Sequence, residues 1–276
     1  MQSQSMPGHP EVVPFFHGSS NTWSYVVSDG TEAAIIDPAL DFDAASGRLG
    51  TTSAQILIDH VQARRLTLRW LLETHAHADH VSASIWLKQH WPQATLAMGS
   101  GIRQVQAMLA TEYGLGPDFV ADGSQFDHLF EDGETFPLGQ IQARVIAAPG
   151  HTSDSVAYLV GDALFTGDSL FMPDAGSARC DFPGGDAAML YRSIRRLYDT
   201  LPDNTRVFVC HDYGPGGRAI ACQTSIGAQR GNNIHVRDGV DESQFVSLRE
   251  ARDATLALPG LIVPSIRANL RGGAIP

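Results

Sequence analysis

Several kinds of residue are scarce in this sequence, and each shortage excludes a class of protein. There are three cysteines, Cys180, Cys210 and Cys222, with no C-x-x-C pair among them. Their odd number and their spacing exclude a disulfide framework and a structural zinc knuckle. The simplest interpretation is that they are reduced thiols in a reducing compartment, and that Cys210 is a small buried residue of a strand.

Positive charge is scarce as well. The chain has 19 basic and 30 acidic residues, which gives a formal net charge of −11 at pH 7. Because contacts to phosphates need a basic surface, this balance argues against nucleic acids and acidic membranes as partners. An anionic substrate would therefore need a local cluster of arginines.

Long apolar runs are missing, and no segment is apolar over a length that could cross a bilayer. No basic residue precedes Arg48, so the start of the chain lacks the charged region of a secretory signal or a transit peptide. We therefore expect a cytoplasmic protein. A length of 276 residues without a low-complexity linker predicts a single domain over residues 1–276.

Apolar periodicity predicts strands and helices that alternate in two similar halves. This pattern favours an α/β fold in which two sheets pack face to face with helices outside. The predicted elements are strands over 22–27, 33–36, 66–72 and 94–98, a Ser53-capped helix to Arg65 with Ile56, Leu57 and Val61 on its apolar face, a helix from Asp79 or Ser82 to about His90, a helix over 100–110, strands between 126 and 166, and a helix marked by Leu190, Ile194, Leu197 and Leu201.

The segment Thr74–His80, with the sequence THAHADH, follows the predicted strand over 66–72. Imidazole and carboxylate groups are ligands of borderline transition metals. A strand that ends in a turn presents such groups together at one edge of a sheet, where open α/β folds place their sites. A chance histidine-rich loop is the alternative, but the H-x-H-x-D-H spacing favours a metal site.

Three later segments strengthen this prediction, because each places a histidine or an aspartate just past an apolar run. One such coincidence is weak evidence, but four in one chain are hard to explain without a metal between them. The candidate ligands are His75, His77, Asp79, His80, His151, Asp168 and His211.

In kind and in order, these residues resemble the metal-ligand positions of the metallo-β-lactamase superfamily. Asp37 matches a further position of that family, which usually supports the ligands. The resemblance extends from the hairpin at 21–37 to His211. It implies an αβ/βα sandwich of two packed mixed sheets with helices on the outer faces, and a C-terminal tail of about 240–276 packing on it.

Within the superfamily the chain looks most like the persulfide dioxygenases, also called sulfur dioxygenases, and in particular their bacterial branch. Other branches carry a different residue at the position of Cys180, so the resemblance implies no required role for that thiol. The segments that carry this closer resemblance are THAHADH at 74–80, SARCDF at 177–182 followed by PGG, HDY at 211–213 with Gly217-Arg218, and VPSIRANL at 263–270.

The resemblance implies one iron(II) per chain, bound by His75, His151 and Asp168. Two imidazoles and one carboxylate leave coordination positions open for a substrate and O2, whereas zinc has no redox chemistry. The reaction would oxidise glutathione persulfide with O2 to sulfite and glutathione. The remaining candidates, His77, Asp79, His80 and His211, would orient the ligands and donate hydrogen bonds.

Glutathione carries two carboxylates, and arginine binds carboxylates through paired hydrogen bonds. Arg179 and Arg218 are the candidates for this role, with Tyr213 as a hydroxyl partner near the metal. For Arg179, the alternative is an ion pair with Asp181. A homodimer, and a separate rhodanese that supplies sulfur, are expectations from the family resemblance alone.

Two other functions stay open at this point. A glyoxalase II-like hydrolase of glutathione thiolesters would bind two zinc ions through all seven candidates and attack with a bridging hydroxide. A non-catalytic sulfur-binding protein is the third hypothesis, although such a protein need not keep the complete ligand set.

Overall fold

The computed structural model describes residues 8–275; residues 1–7 and 276, which the single-domain prediction also covers, lie outside the described range. The strands are β1 (Glu11–His17), β2 (Thr22–Ser28), β3 (Glu32–Ile36), β4 (Ala39–Asp43), β5 (Arg48–Gly50), β6 (Thr67–Leu72), β7 (Val81–Ser82), β8 (Thr95–Gly99), β9 (His128–Phe130), β10 (Thr135–Leu138), β11 (Ile141–Ala147), β12 (Val156–Val160), β13 (Ala163–Phe165), β14 (Arg206–Phe208) and β15 (Gln223–Ser225). The helices are α1 (Thr52–Ala63), α2 (Ser84–His90), α3 (Ile102–Leu109), α4 (Ala187–Thr200), α5 (Ile226–Asn232), α6 (Glu242–Asp253) and α7 (Ile262–Asn269).

The first sheet has the strand order β1-β2-β3-β6-β8-β9. Its first three strands are antiparallel, and β3, β6, β8 and β9 are parallel. The β2–β3 hairpin turns where Asp29 Oδ1 accepts the amides of Thr31 and Glu32, and where Gly30 has a φ of +95° that suits glycine. The carboxyl ends of the parallel strands therefore lie along one edge.

The second sheet has the order β10-β11-β12-β13-β14-β15, in which only β13 and β14 are parallel. A third, three-stranded sheet has the order β5-β4-β7. Apolar side chains of the two large sheets interdigitate, and α1 and α4 cover their outer faces. The predicted sandwich is therefore confirmed. The buried side chains between the sheets include Tyr25, Val27, Ile36, Leu72, Phe136, Val145, Tyr158, Phe165 and Phe208.

Three local predictions were wrong. Thr51, not Ser53, precedes α1, because the Ser53 hydroxyl instead donates to Asp41 at 2.6 Å. Ile56 is 50% exposed, whereas Leu57 and Val61 are buried as predicted. Helix α2 begins at Ser84 and not at 79 or 82, since residues 81–82 form strand β7 against β4.

The C-terminal helices contact both halves of the sandwich. Phe245 of α6 is buried with side chains of α4, and Ile266 of α7 is buried with the core beneath the first sheet. No described helix is long and apolar enough to span a membrane. The single-domain organisation stays a prediction.

Candidate metal centre

The seven candidate ligands lie at the ends of four strands. The β6–β7 loop carries His75 through His80, and the β11–β12 loop carries His151. Asp168 lies in a short 3-10 turn directly after β13, and His211 follows β14. Because β6 and β13–β14 belong to the two facing sheets, the sandwich brings all four segments to one edge.

His75, His151 and Asp168 form one compact group of potential ligands. One ligand atom from each residue lies within 4.8 Å of the other two. Asp168 Oδ2 is 3.5 Å from His151 Nε2 and 3.9 Å from His75 Nε2. All three side chains are buried. Two imidazoles and one carboxylate thus converge on one point.

A second group lies beside the first, with His211 between them. His77, Asp79 and His80 offer ligand atoms within 4.8 Å of one another. His211 Nε2 is 3.4 Å from Asp79 Oδ2 and 3.3 Å from Asp168 Oδ1. His211 therefore links the two groups, and the arrangement has room for one or two metal ions.

Four polar atoms of this cluster are buried without a hydrogen-bond partner among residues 8–275. A buried polar atom without a partner costs free energy, so natural structures rarely leave several together. Metal ions bound by the two groups would satisfy these atoms, and the donor set therefore fits a metal. The atoms are His75 Nε2, His77 Nδ1, His80 Nε2 and Asp168 Oδ1.

Backbone contacts set the orientation of two of the rings. His151 Nδ1 is 2.6 Å from the carbonyl oxygen of Arg179, and His211 Nδ1 is 3.0 Å from that of Asn21. A carbonyl only accepts, so each Nδ1 carries a proton, and in the neutral ring each Nε2 keeps its lone pair. These Nε2 atoms face Asp168, which suits both rings to bind a metal there.

The electrostatic environments of His75 and His77 differ. Burial, helped by the neighbouring His77 and His151, holds the pKa of His75 well below its ordinary value. Burial alone would also lower the pKa of His77, but the carboxylates of Asp37 and Glu73 outweigh it and raise that pKa well above the ordinary value. His77 Nε2 lies 3.1 Å from Asp37 and 3.5 Å from Glu73. His75 is thus neutral, as a metal ligand must be, and His77 is held by two carboxylates.

A cavity of about 550 Å³ opens over the metal cluster. This volume lies within the range of small-molecule sites. Its wall includes Asp79, His151, Asp168 and His211, so a ligand in the cavity reaches the metal. The rest is mostly apolar, and comes from Ala78, Phe171, Ala175, Ala178, Phe182, Pro215, Ile234, Leu256, Ala257 and Pro259.

Comparison with known proteins identifies the family. The family model of the metallo-β-lactamase superfamily matches residues 17–211, which include every candidate ligand. The chain belongs to the metallo-β-lactamase superfamily. The clustered histidines and aspartates are therefore the metal-binding site of a metallo-β-lactamase fold.

The relatives within the superfamily carry different names. The chain is 47% identical to a β-lactamase hydrolase-like protein of Xylella fastidiosa over 97% of this chain, but it spans 62% of that protein's length. It is 42% identical to glyoxylase B2 of Dictyostelium discoideum, covering 96% of this chain and 91% of that protein. The mitochondrial persulfide dioxygenase ETHE1 of Bos taurus is 31% identical over 72% of this chain and 66% of that protein.

A solved structure of the superfamily matches almost the whole chain. The crystal structure of ETHE1 from Myxococcus xanthus has a TM-score of 0.76 and 31% sequence identity. The match covers 96% of this chain and 100% of that one. The sandwich and the segments after His211 thus share an architecture with that protein.

The predicted substrate residues of this superfamily member have different environments. Arg179 lines the cavity, but it donates two hydrogen bonds of 2.6 Å to Asp181 and a third to the carbonyl of Ala257. Arg218 is not among the lining residues, and Asp174 and Asp212 both bind its guanidinium. The geometry therefore favours ion pairs for both arginines, and their substrate contacts stay predictions.

Tyr213 lies at the rim of the cavity and is 58% exposed. Its ring is nearly parallel to that of His211, with an interplanar angle of 13° and 6.1 Å between centroids. The position next to a metal-cluster histidine agrees with the predicted location near the metal. Binding of substrate by its hydroxyl stays a prediction.

Sequence analysis missed several residues that shape the site. Glu73 directly precedes the THAHADH motif. A carboxylate between an apolar strand and a histidine motif could have indicated a partner for those histidines. Asn269 donates to the carbonyls of His77 and His80, both at 2.8 Å, from the far end of the chain. Arg249 and Arg252 also line the cavity, and no motif marks them.

Proposed function

We propose that the chain is a persulfide dioxygenase that oxidises glutathione persulfide with O2, at one iron(II) held by His75, His151 and Asp168. With one water molecule consumed, the products are glutathione and sulfite, and both atoms of O2 end on the outer sulfur. The observation that carries the proposal is the two-imidazole, one-carboxylate group beside the cavity, whose wall includes two of its members, His151 and Asp168. The 31% identity to ETHE1 over 96% of this chain supports it.

The residues of the chain fit the tasks that such a reaction sets. Iron(II) bound by two imidazoles and one carboxylate would supply the redox chemistry with O2 and leave positions open for the persulfide. His151 is oriented by the carbonyl of Arg179, and Asp168 lies between His151 and His75. Phe171 and Phe182 present apolar rings in the cavity wall, which limits water next to a reactive persulfide.

Size and chemistry both make glutathione a suitable carrier of the persulfide sulfur. A tripeptide fits a cavity of about 550 Å³. The named relatives include both a persulfide dioxygenase and a glyoxylase. In this proposal His77, Asp79, His80 and His211 orient the ligands and do not hold a second metal.

The alternative is a glyoxalase II-like hydrolase of glutathione thiolesters with two zinc ions. The partnerless Nδ1 of His77 and Nε2 of His80 favour it, because a second ion would satisfy them. His77, Asp79 and His80 would then hold the second ion, and the two ions would supply the activated water that hydrolyses the thiolester. The name of the Dictyostelium relative agrees with this function.

Metal analysis of anaerobically purified protein, followed by O2 uptake on addition of glutathione persulfide, distinguishes the two. We expect about one iron per chain and rapid uptake. The variant His75→Ala removes one of the three iron ligands and should lose both the iron and the uptake. His90→Ala is the matched control, because His90 is exposed on α2, and it should keep both.

Two zinc ions per chain, no uptake of O2 and hydrolysis of a glutathione thiolester would reject the dioxygenase and establish the hydrolase. Iron with uptake that persists in His75→Ala would reject the proposed iron ligands.

A further inference from the structure

The charged residues of the cavity wall are nearly all neutralised by a partner. Arg179 pairs with Asp181, and Arg249 pairs with Asp253 at 2.8 Å. Asp174 pairs with Arg218. Asp79 and Asp168 belong to the metal cluster. Within the described part of the chain, Arg252 is the lining residue whose charge has no counter-ion.

Arg252 lies in the last turn of α6, and its side chain is exposed. Its guanidinium makes no ion pair or hydrogen bond with any of residues 8–275, and Arg252 lines the same cavity as the metal cluster. Arg249 is one helical turn earlier, so the two side chains lie on one face of α6. The Arg249 guanidinium is fixed by Asp253 and by the carbonyl of Ser177. Arg252 therefore keeps its five donors for a ligand.

The pKa of the nearby His235 is affected by the same positive charge. Burial and, to a smaller extent, the charges of Arg249 and Arg252 lower its pKa to about 4. His235 is 5% exposed, and its Nδ1 accepts the amide of Ser177 at 3.0 Å. The ring is thus neutral at pH 7, and it neither adds to the charge of Arg252 nor compensates it. An anion that enters the cavity meets one uncompensated guanidinium.

We propose that Arg252 is the residue that binds a carboxylate of the substrate, and so gives the site its preference for an anionic thiol carrier. This inference rests on the proposed function for the identity of that carrier. The guanidinium and a carboxylate form two parallel hydrogen bonds, which a neutral carrier cannot make. The apolar side chains of Ile234 and Leu256 line the same cavity.

The competing role for Arg252 is structural. A cation in the last turn of a helix stabilises that helix through its dipole and its free carbonyls. A lysine retains this effect, but it lacks the planar fork that matches a carboxylate. Arg252→Gln and Arg252→Lys together therefore separate ligand binding from helix stability.

The test is calorimetric titration of the metal-loaded protein with S-methylglutathione and with its diethyl ester. The methyl group prevents the sulfur from binding the metal as a thiolate, and the ester lacks both carboxylates. Arg252→Gln should raise the Kd for S-methylglutathione roughly tenfold or more, because it removes a charge-assisted pair. Arg252→Lys should give an intermediate Kd. The diethyl ester should bind the wild type and both variants equally and weakly.

Arg237→Gln is the matched control, since Arg237 is exposed, lies outside the cavity wall and has no ion pair with residues 8–275. Its Kd should equal that of the wild type. A Kd for Arg252→Gln within twofold of the wild-type value overturns the inference, as does a wild type that binds acid and ester equally. A lower Tm with an unchanged Kd assigns Arg252 to helix stability alone.

The result of the titration does not depend on which reaction the site catalyses. Failure of O2 uptake with glutathione persulfide would reject the dioxygenase and leave the titration valid, because a thiolester hydrolase would meet the same carboxylates. If O2 uptake with glutathione persulfide is observed, but Arg252→Gln leaves the Kd for S-methylglutathione unchanged, only the role of Arg252 is rejected.

Discussion

The protonation and hydrogen bonding of single residues in this protein depend on neighbours that are distant in the chain. The buried His235 shows this clearly, because its ring accepts a hydrogen bond from Ser177 and lies near two arginines of α6. Protonation of the ring would remove the acceptor and place a third positive charge beside them. Between pH 6.5 and 4, His235 is therefore neutral in the folded state and protonated in the unfolded chain.

This difference in protonation predicts a specific loss of stability in acid. The folded pKa of His235, about 4, lies below the ordinary 6.5, so the group has no effect above pH 6.5. As the pH falls from 6.5 to 4, the unfolded state gains a proton and the free energy of unfolding decreases by about 1.4 kcal/mol per pH unit, or about 3 kcal/mol in all. Urea unfolding at several pH values measures the slope.

The variant His235→Gln keeps an acceptor but cannot titrate. Its unfolding free energy should fall less steeply over the same range, although other groups and the metal contribute equally to both proteins. Identical slopes for the wild type and the variant would refute the assignment.

At the scale of elements, the loop that carries His151 is packed tightly against α4. Gly150 has a φ of +138°, and a Cβ atom there would lie 2.3 Å from the backbone of Leu190. The carbonyl of Gly150 also accepts the amide of Asp186, whose side chain caps α4. The helix and the ligand loop are thus fixed to each other through one residue that has no side chain.

Gly150→Ala should therefore disturb the metal site as well as the fold. The matched control is Gly133→Ala, where φ is +81° but no atom lies within 4 Å of the added Cβ. We expect the control to lose about 1 kcal/mol of stability from backbone strain alone. Gly150→Ala should lose about 2 kcal/mol more, because the clash is with backbone atoms that cannot rotate away.

Thermal unfolding and metal content measure both effects. Gly150→Ala should also bind less metal per chain, while Gly133→Ala keeps its full content. Equal stabilities for the two variants would mean that packing against α4 does not position His151.

At the scale of the whole molecule, helix α7 stabilises the β6–β7 loop that carries four of the candidate ligands. Asn269, the last residue of α7, donates to the carbonyls of His77 and His80 and accepts the amide of Ser82 at 2.8 Å. Asn269 is 5% exposed, so water cannot easily replace these bonds. The β6–β7 loop therefore depends on a helix about 190 residues later.

Asn269→Ala should leave two carbonyls and one amide buried without partners. We expect a loss of about 2–4 kcal/mol in unfolding free energy. The metal affinity should fall as well, since His77 and His80 lose the contacts that position them. Competition with a chelator and urea unfolding measure the two losses. Asn232→Ala, at an exposed helix end, is the control, and a similar result for both variants would contradict this role.

The sandwich and the convergence of the candidate ligands on one edge were predictable because they depend on short-range patterns. Alternating apolar residues predict strands locally, and a strand followed by histidine or aspartate marks an edge of the sheet. The predicted strands over 66–72 and 94–98 correspond to β6 and β8. Superfamily membership follows from the same residues, and the family model confirms it.

What only the tertiary structure decided is the choice of partner between residues far apart in the chain. Ser53 appeared suited to cap a helix, but Asp41 competes for its hydroxyl. Arg218 is a predicted substrate ligand, and its guanidinium also binds Asp174, which lies 44 residues away in sequence. Arg252 carried no motif at all. An arginine is free or neutralised according to which carboxylate the fold brings within about 4 Å, and a linear sequence does not contain that distance.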